Sequence, residues 1–285
     1  MLKFGVSMFF TDYSIAPGEL GQALESRGFE SVWAPEHSHI PLSRKTPFPG
    51  GTDLPKKYYD AMDPFVTLTA AAMATKKLMV GTGVCLVAQR DPIQTAKLVA
   101  SIDNVTGGRF LFGIGNGWTQ DEMENHGTEF TSRHKRAREN IEAMKEIWTK
   151  SKAEYHGEFV NFDPMMAWPK PVRKPHPPVI VGGAYPYSAR RAIRYGDGWI
   201  PQAGRGGTGE IADMIPAFRQ QCAEGGRDPA SIAITVWFPK HDLDLMKRYE
   251  DLGVERVVFN VESVPSAEAL PAVDKIAELM HKVNG

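Results

Sequence analysis

The stretch Pro178-Val179-Ile180-Val181-Gly182 decides the fold. Its apolar residues follow one another without alternation. A strand with one wet face would alternate apolar and polar side chains; a continuous run suits a parallel strand covered on both faces. Val257-Val258-Phe259 repeats the pattern near the C-terminus. Parallel neighbours need crossover connections, usually helices. Working outward, eight β-rich runs emerge, at residues 3–9, 30–34, 78–84, 109–114, 178–182, 198–200, 231–238 and 256–260. Helical patterns follow most of them. Residues 17–27 end at Gly28, a left-handed cap. Asp91-Pro92 reads as an N-cap with proline in the first turn, before a face of Ile93, Ala96, Val99 and Ile102. Residues 131–150 carry the stripe Ala137, Ile141, Met144 and Trp148, and residues 271–283 turn Val273, Ile276 and Met280 inward.

Eight βα units in 285 residues match a (β/α)8 TIM barrel, an α/β fold that typically needs about 250. A doubly wound open sheet is the alternative. No linker divides the chain, so residues 1–285 read as one domain. Two stretches exceed ordinary loop length. Residues 40–60 carry Pro41, Pro47, Pro49 and Pro55, with Tyr58 and Tyr59, and could close over a substrate. Residues 151–177 hold five prolines and no long helical pattern, an insertion region outside the βα rhythm.

Composition limits the function classes. Lys and Arg number 33 against 34 Asp and Glu, a net charge of -1. No basic surplus points to nucleic acid, and no polybasic or long apolar run points to a membrane. The N-terminus reads directly into a strand and not into a signal peptide, and two cysteines exclude a disulfide framework, so the cytoplasm is the expected compartment.

A barrel carries its chemistry at the C-terminal ends of its strands. After the second run comes Pro35-Glu36-His37-Ser38-His39, where a carboxylate and imidazoles could do acid–base work. His37 and His39 could also share a metal, but the other strand ends supply no further ligands and no metal is expected. Gly113-Ile114-Gly115-Asn116-Gly117-Trp118 departs from the dinucleotide fingerprint, because its third glycine comes one residue early. Close glycines there, and at Gly182-Gly183-Ala184 ahead of a helix with Arg190 and Arg191, can still expose backbone N–H groups to an anion. Arg205, within Gly204-Arg205-Gly206-Gly207, could add a cation. Glycines at 81 and 83 mark a bulge or close approach to a ligand. Cys85 reads as a packed thiol, with no base placed to activate it.

These segments together resemble the luciferase-like monooxygenase superfamily, in particular its coenzyme F420-dependent oxidoreductase branch. The resemblance is carried by residues 28–37, by Val80-Gly81-Thr82-Gly83-Val84, by Asp91-Pro92 with Ala96-Lys97, and by residues 107–118 with Glu122. It continues through Pro169-Lys170-Pro171, Pro177-Pro178-Val179, Gly182-Gly183 and Gly196-Asp197-Gly198-Trp199. Order and spacing hold over about residues 1–200; the last third matches mainly as βα rhythm.

The resemblance implies a deazaflavin or flavin in the barrel mouth and a non-prolyl cis peptide at Gly83-Val84 behind its ring. It also implies phosphate binding by Asn116, Gly117 and Trp118 and by Gly182, Gly183 and Ala184. His37 falls where sugar-phosphate dehydrogenases of the family place a catalytic histidine. Those enzymes carry an acidic residue where Trp118 stands here, which points away from sugar phosphates. Glu36 is the second candidate catalytic residue; adjacent residues in extended chain face opposite sides, so its support for His37 would be indirect. The resulting expectation is an F420-dependent oxidoreductase moving a hydride to or from a small organic molecule. The alternatives are an FMN-dependent monooxygenase using molecular oxygen and a non-catalytic flavin-binding barrel. Family members are commonly homodimers.

Overall fold

The computed structural model describes residues 1–51, 53–201 and 210–285. The Gly204–Gly207 segment, including Arg205, lies outside the described residues. All eight expected runs form strands: β1 (Lys3–Ser7), β2 (Ser31–Ala34), β3 (Met79–Thr82) continued by β4 (Cys85–Leu86), β5 (Phe110–Gly115), β8 (Val179–Gly182), β9 (Gly198–Ile200), β10 (Ala233–Trp237) and β11 (Arg256–Asn260). Every pairing among them is parallel. The order runs β3-β2-β1-β11-β10-β9-β8-β5, and β3 pairs back onto β5 through Val80 with Phe110. The sheet therefore closes into a (β/α)8 barrel, and the open doubly wound alternative is excluded. The third run is interrupted where Gly83–Val84 is a cis peptide.

Helices wrap this ring: α1 (Pro17–Ser26), α2 (Pro64–Met73), α3 (Pro92–Val105), α4 (Gln120–Asn125), α5 (Arg133–Thr149), α6 (Tyr187–Tyr195), α7 (Ile211–Glu224), α8 (Leu243–Asp251) and α9 (Ser266–Asn284). The Asp91 side chain caps α3 by accepting from the Gln94 N–H at 2.8 Å. Ala96, Val99 and Ile102 are buried as expected, but Ile93 is 37% exposed, because it leaves the first turn on the outer side of the helix. The last helix begins five residues before the expected Pro271, which sits inside it. The Pro271 ring has no N–H to donate, and burial of Ala269 and Val273 outweighs that one missing bond. Residues 151–177 stand outside the βα pattern, and they begin with the antiparallel hairpin β6 (Ala153–His156) and β7 (Asn161–Met165).

The inside of the barrel is plugged by Trp33, Leu111, Ile180, Ile200, Trp237 and Val258. Trp33 and Trp237 meet edge to face at 5.6 Å. This plug explains the glycines of the third run. A Cβ at Gly81 would lie 2.5 Å from the Trp33 ring, and one at Gly83 would lie 2.2 Å from that of Trp237. These glycines make room for indoles. The plug also sets the floor of the space above it. Among the described residues, no helix is long and apolar enough to cross a membrane.

Candidate active site

A cavity of about 670 Å³ opens at the C-terminal ends of the strands. Its wall brings together the ten residues expected to act in catalysis or cofactor binding: Glu36, His37, Gly83, Val84, Asn116, Gly117, Trp118, Gly182, Gly183 and Ala184.

His37 and Glu36 leave β2 in opposite directions. The His37 side chain is only 5% exposed, and its Nδ1 lies 2.8 Å from Glu122 Oε2. A carboxylate can only accept, so Nδ1 carries the proton and Nε2 remains the basic nitrogen. Glu122 is buried on α4 and also accepts from Gln89 Nε2 at 3.0 Å and the Ser38 N–H at 3.1 Å. Burial works against its charge, but the hydrogen bond and charge of His37, with the bonds from Gln89 and Ser38, hold its carboxyl below the usual range. Glu36 has other work. Its Oε1 accepts from Arg90 Nε at 2.6 Å and its Oε2 from the Leu86 N–H at 2.7 Å, while Arg90 reaches on to Asp63 at 3.1 Å. Oε2 thus anchors β4, while Oε1 holds the Arg90 guanidinium. The catalytic role expected for Glu36 does not fit this geometry: the carboxylate that orients His37 is Glu122.

One side of the cavity is aromatic. The Tyr58 and Trp118 rings lie 5.4 and 5.8 Å from His37. Phe48 packs on both, at 5.4 and 5.9 Å, and Phe9 lies 4.5 Å from Tyr58. Phe48 and Tyr58 of the 40–60 loop thus pack on the wall formed by His37 and Trp118. The loop's hold on α4 includes Ser43 on Asp121, the Lys45 N–H on Asp121 at 3.2 Å and Lys45 Nζ on Glu124 at 2.6 Å. Tyr59 does not join this wall; it is 46% exposed and accepts from Arg44.

The other side is cationic. Arg133 and His134 open α5, and Arg191 rises from α6 behind Gly183. Among the described residues, neither arginine forms an ion pair, and the buried Nε of each has no partner. Burial and the charge of Arg191 lower the Arg133 pKa. Burial, with Arg133 and Arg191, pushes His134 down to about 4. Asn116 Nδ2 donates to His134 Nδ1 at 2.6 Å, which leaves the His134 proton on Nε2. Unspent donors beside close backbone at Asn116, Gly117, Gly182 and Gly183 fit a phosphate group. Gly183 has φ +128°, and a Cβ there would come within 3.1 Å of Arg191 Nη2.

Sequence reading missed Arg133 and His134. Their signal was available: Arg133, His134, Lys135 and Arg136 fill the first turn of α5, where the helix dipole opposes positive charge. Glu122 appeared only within the resemblance, since its distance from His37 is set by folding. Cys85 is buried, and burial with the nearby Glu36 charge pushes its thiol well above its ordinary pKa. Among the described residues, no group of three or more His, Cys, Asp or Glu could hold a metal ion. His37 and His39 go to different partners, Glu122 and Ser38.

The strands close into a barrel with a cavity at their C-terminal ends, and the chain belongs to the luciferase-like monooxygenase family, which it matches over residues 17–241. It is 36% identical over 286 residues to an uncharacterized protein of Mycobacterium tuberculosis strain H37Rv, covering 97% of this chain and 98% of that one. It is 30% identical over 229 residues to an F420-dependent hydroxymycolic acid dehydrogenase of the same organism, covering 79% of this chain and 57% of that one. A monooxygenase structure from Streptomyces bottropensis superposes with a TM-score of 0.79 at 19% identity, covering 98% and 99% of the two chains, a likeness of fold.

Proposed function

We propose that this protein is an F420-dependent oxidoreductase that interconverts a small, uncharged alcohol and its carbonyl form. The observation that carries this reading is the His37–Glu122 pair at the cavity wall, a fixed tautomer with a basic Nε2 beside an aromatic enclosure. Bound F420 would supply a two-electron hydride acceptor or donor. Gly83 and Val84 would back its ring. Asn116, Gly117, Trp118, Gly182, Gly183 and Ala184, with Arg133, His134 and Arg191, would hold its phosphate.

His37 Nε2 would take the hydroxyl proton of the alcohol, or return it to the carbonyl oxygen. Glu122 stabilises the imidazolium that forms. Phe9, Phe48, Tyr58 and Trp118 exclude water and favour an apolar substrate. The 40–60 segment would move for substrate to enter. Met62, Val66 and Met73 in and beside α2, with Leu98 and Val105 of α3, are exposed and support pairing with a second copy of the chain, testable by sedimentation.

The deciding experiment is equilibrium titration with oxidised and reduced F420 and with FMN, followed by anaerobic turnover of a small secondary alcohol. Tight F420 binding with oxygen-independent turnover is expected. FMN binding with strictly oxygen-dependent turnover would favour a monooxygenase. Tight binding without any turnover would favour a non-catalytic barrel.

A further inference from the structure

The outer face of α6 carries charge that the cavity does not use. The helix starts beyond the C-terminal end of β8 and runs away from the mouth. Tyr187 and Arg191 line the cavity, and Ser188, Ala189, Ala192 and Tyr195 are buried against the barrel. Residues three and four apart are neighbours on a helix surface. Arg190 therefore follows Tyr187, and Arg194 follows both Arg190 and Arg191, one turn further from the mouth. Arg190 and Arg194 are exposed, and so is the Tyr187 ring at the rim.

The protein does not neutralise this face. Among the described residues, the arginines that form ion pairs are Arg27, Arg90, Arg138, Arg248 and Arg256, and none of the three on α6 does. Residues 202–209 contain no Asp or Glu. The carboxylates flanking the helix are committed. Glu142 of α5 lies 3.5 Å from Arg138 and accepts from the Tyr155 hydroxyl at 2.7 Å. Asp197, just past α6, accepts from the Val179 N–H at 2.9 Å. Arg190 and Arg194 are like charges at i and i+4, which repel. In a chain with a net charge of -1, this face is a local surplus of positive charge that begins at the cavity.

We propose that Arg190 and Arg194 bind the carboxylates of an anionic chain that leaves the cavity over Tyr187 and Arg191 and runs along α6. The proposal rests on the reading of the cavity as the F420 site. A ligand that ends at its phosphate is served by Arg133, Arg191 and the Gly182–Ala184 turn, and it reaches neither Arg190 nor Arg194. FMN is such a ligand. F420 continues past its phosphate through a lactyl group into a row of glutamates, each with a carboxylate. Guanidinium groups pair with carboxylates through two parallel N–H···O bonds, so exposed arginines one turn apart suit successive carboxylates of such a chain. The two arginines touch no reacting atom. They add affinity for the long-tailed cofactor and discriminate it from FMN.

The test is equilibrium binding to the protein as purified, with two probes: F420 carrying several glutamates, and the same deazaflavin phosphate trimmed of them. The parent should bind the long-tailed form about tenfold or more tightly than the trimmed one, and added salt should shrink that difference, because the contacts are at the surface. Arg190→Gln with Arg194→Gln should abolish the difference while leaving the trimmed compound's Kd and the Tm close to the parent's. Lys76→Gln with Lys77→Gln removes the same charge from an exposed turn before β3, at the opposite end of the barrel, and should keep the difference intact. Equal binding of both probes by the parent overturns the proposal. So does a difference that survives without Arg190 and Arg194, or one lost equally in the lysine variant. An acidic partner protein on this face would give the first of these results. Failure of the proposed reaction looks different. Tail-dependent binding with no alcohol turnover leaves the α6 site standing and removes the reaction, whereas turnover with tail-independent binding removes the α6 site alone.

Discussion

Gly183→Ala tests the cationic side of the cavity, because two effects of the added methyl can be separated. Gly183 has φ +128°, outside the left-handed basin that other residues tolerate. Holding alanine there costs about 1–3 kcal/mol of stability. For a chain of this size, about 2 kcal/mol corresponds to a fall of about 4–8 °C in Tm. The second effect is local. The new Cβ would sit 3.1 Å from Arg191 Nη2 and 3.6 Å from Ser188 Cβ, so the guanidinium has to withdraw by a few tenths of an ångström. Loss of one charge-assisted contact to a phosphate is worth about 1.5–3 kcal/mol, or roughly 10- to 150-fold in Kd. Gly226→Ala is the control. It has φ +73° with nothing within 4 Å, so it carries backbone strain without a contact and should lower Tm while leaving Kd unchanged. The assay is thermal unfolding of both variants beside titration with F420 and with FMN. If Gly183→Ala is destabilised yet binds both ligands like the parent, Arg191 and this turn do not hold the phosphate, and the reasoning fails.

His37→Ala should lower kcat by about 10²- to 10⁴-fold with F420 affinity nearly intact, because the ring serves proton transfer; a loss confined to cofactor Kd would mean that it only packs. Glu122→Gln should reduce kcat and also change acid stability. The folded carboxyl pKa of Glu122 is depressed, so its contribution is full above the unfolded value near 4.5 and is lost as pH falls through the lower folded value. Urea unfolding across that window should therefore be less pH-dependent in Glu122→Gln, and an unaltered slope would argue against the assigned hydrogen bonds. Arg90→Met leaves the buried Glu36 carboxylate without a counter-charge, with the Leu86 N–H and the Cys85 thiol as its neighbours, and should cost about 3–5 kcal/mol in chemical denaturation. A loss under 1 kcal/mol would show that Glu36 is not held as the structure places it.

The barrel was legible because its causes are local. Val179-Ile180-Val181 and Val257-Val258-Phe259 are continuous apolar runs, and only burial on both faces accommodates them. The same holds for Asp91-Pro92 at the start of α3 and for the stripe of α5. The βα rhythm then placed the candidate residues at strand ends, and the barrel gathers those ends in one mouth. Sequence also indicated a glycine-dependent backbone at Gly182-Gly183, since that requirement belongs to the residues themselves.

What folding alone decided is which partner each group meets. Glu36 and Glu122 are 86 positions apart in sequence and each lies at a strand end or on the helix after one, so composition and spacing give them equal claims on His37. The pleat of the chain after β2 sends Glu36 to Arg90, and the path of α4 brings Glu122 to Nδ1. Gly81 and Gly83 read alike in sequence, but Gly83 lines the cavity while Gly81 does not, and indoles of Trp33 and Trp237 pack beside them. Arg133 and Arg191 lie on different helices, and only closure of the barrel sets both at one cavity, with no ion pair to either among the described residues. Backbone preference and burial act over a few residues and can be read from sequence. The pairing of charges acts through space, and its result depends on where a closed sheet carries each strand end.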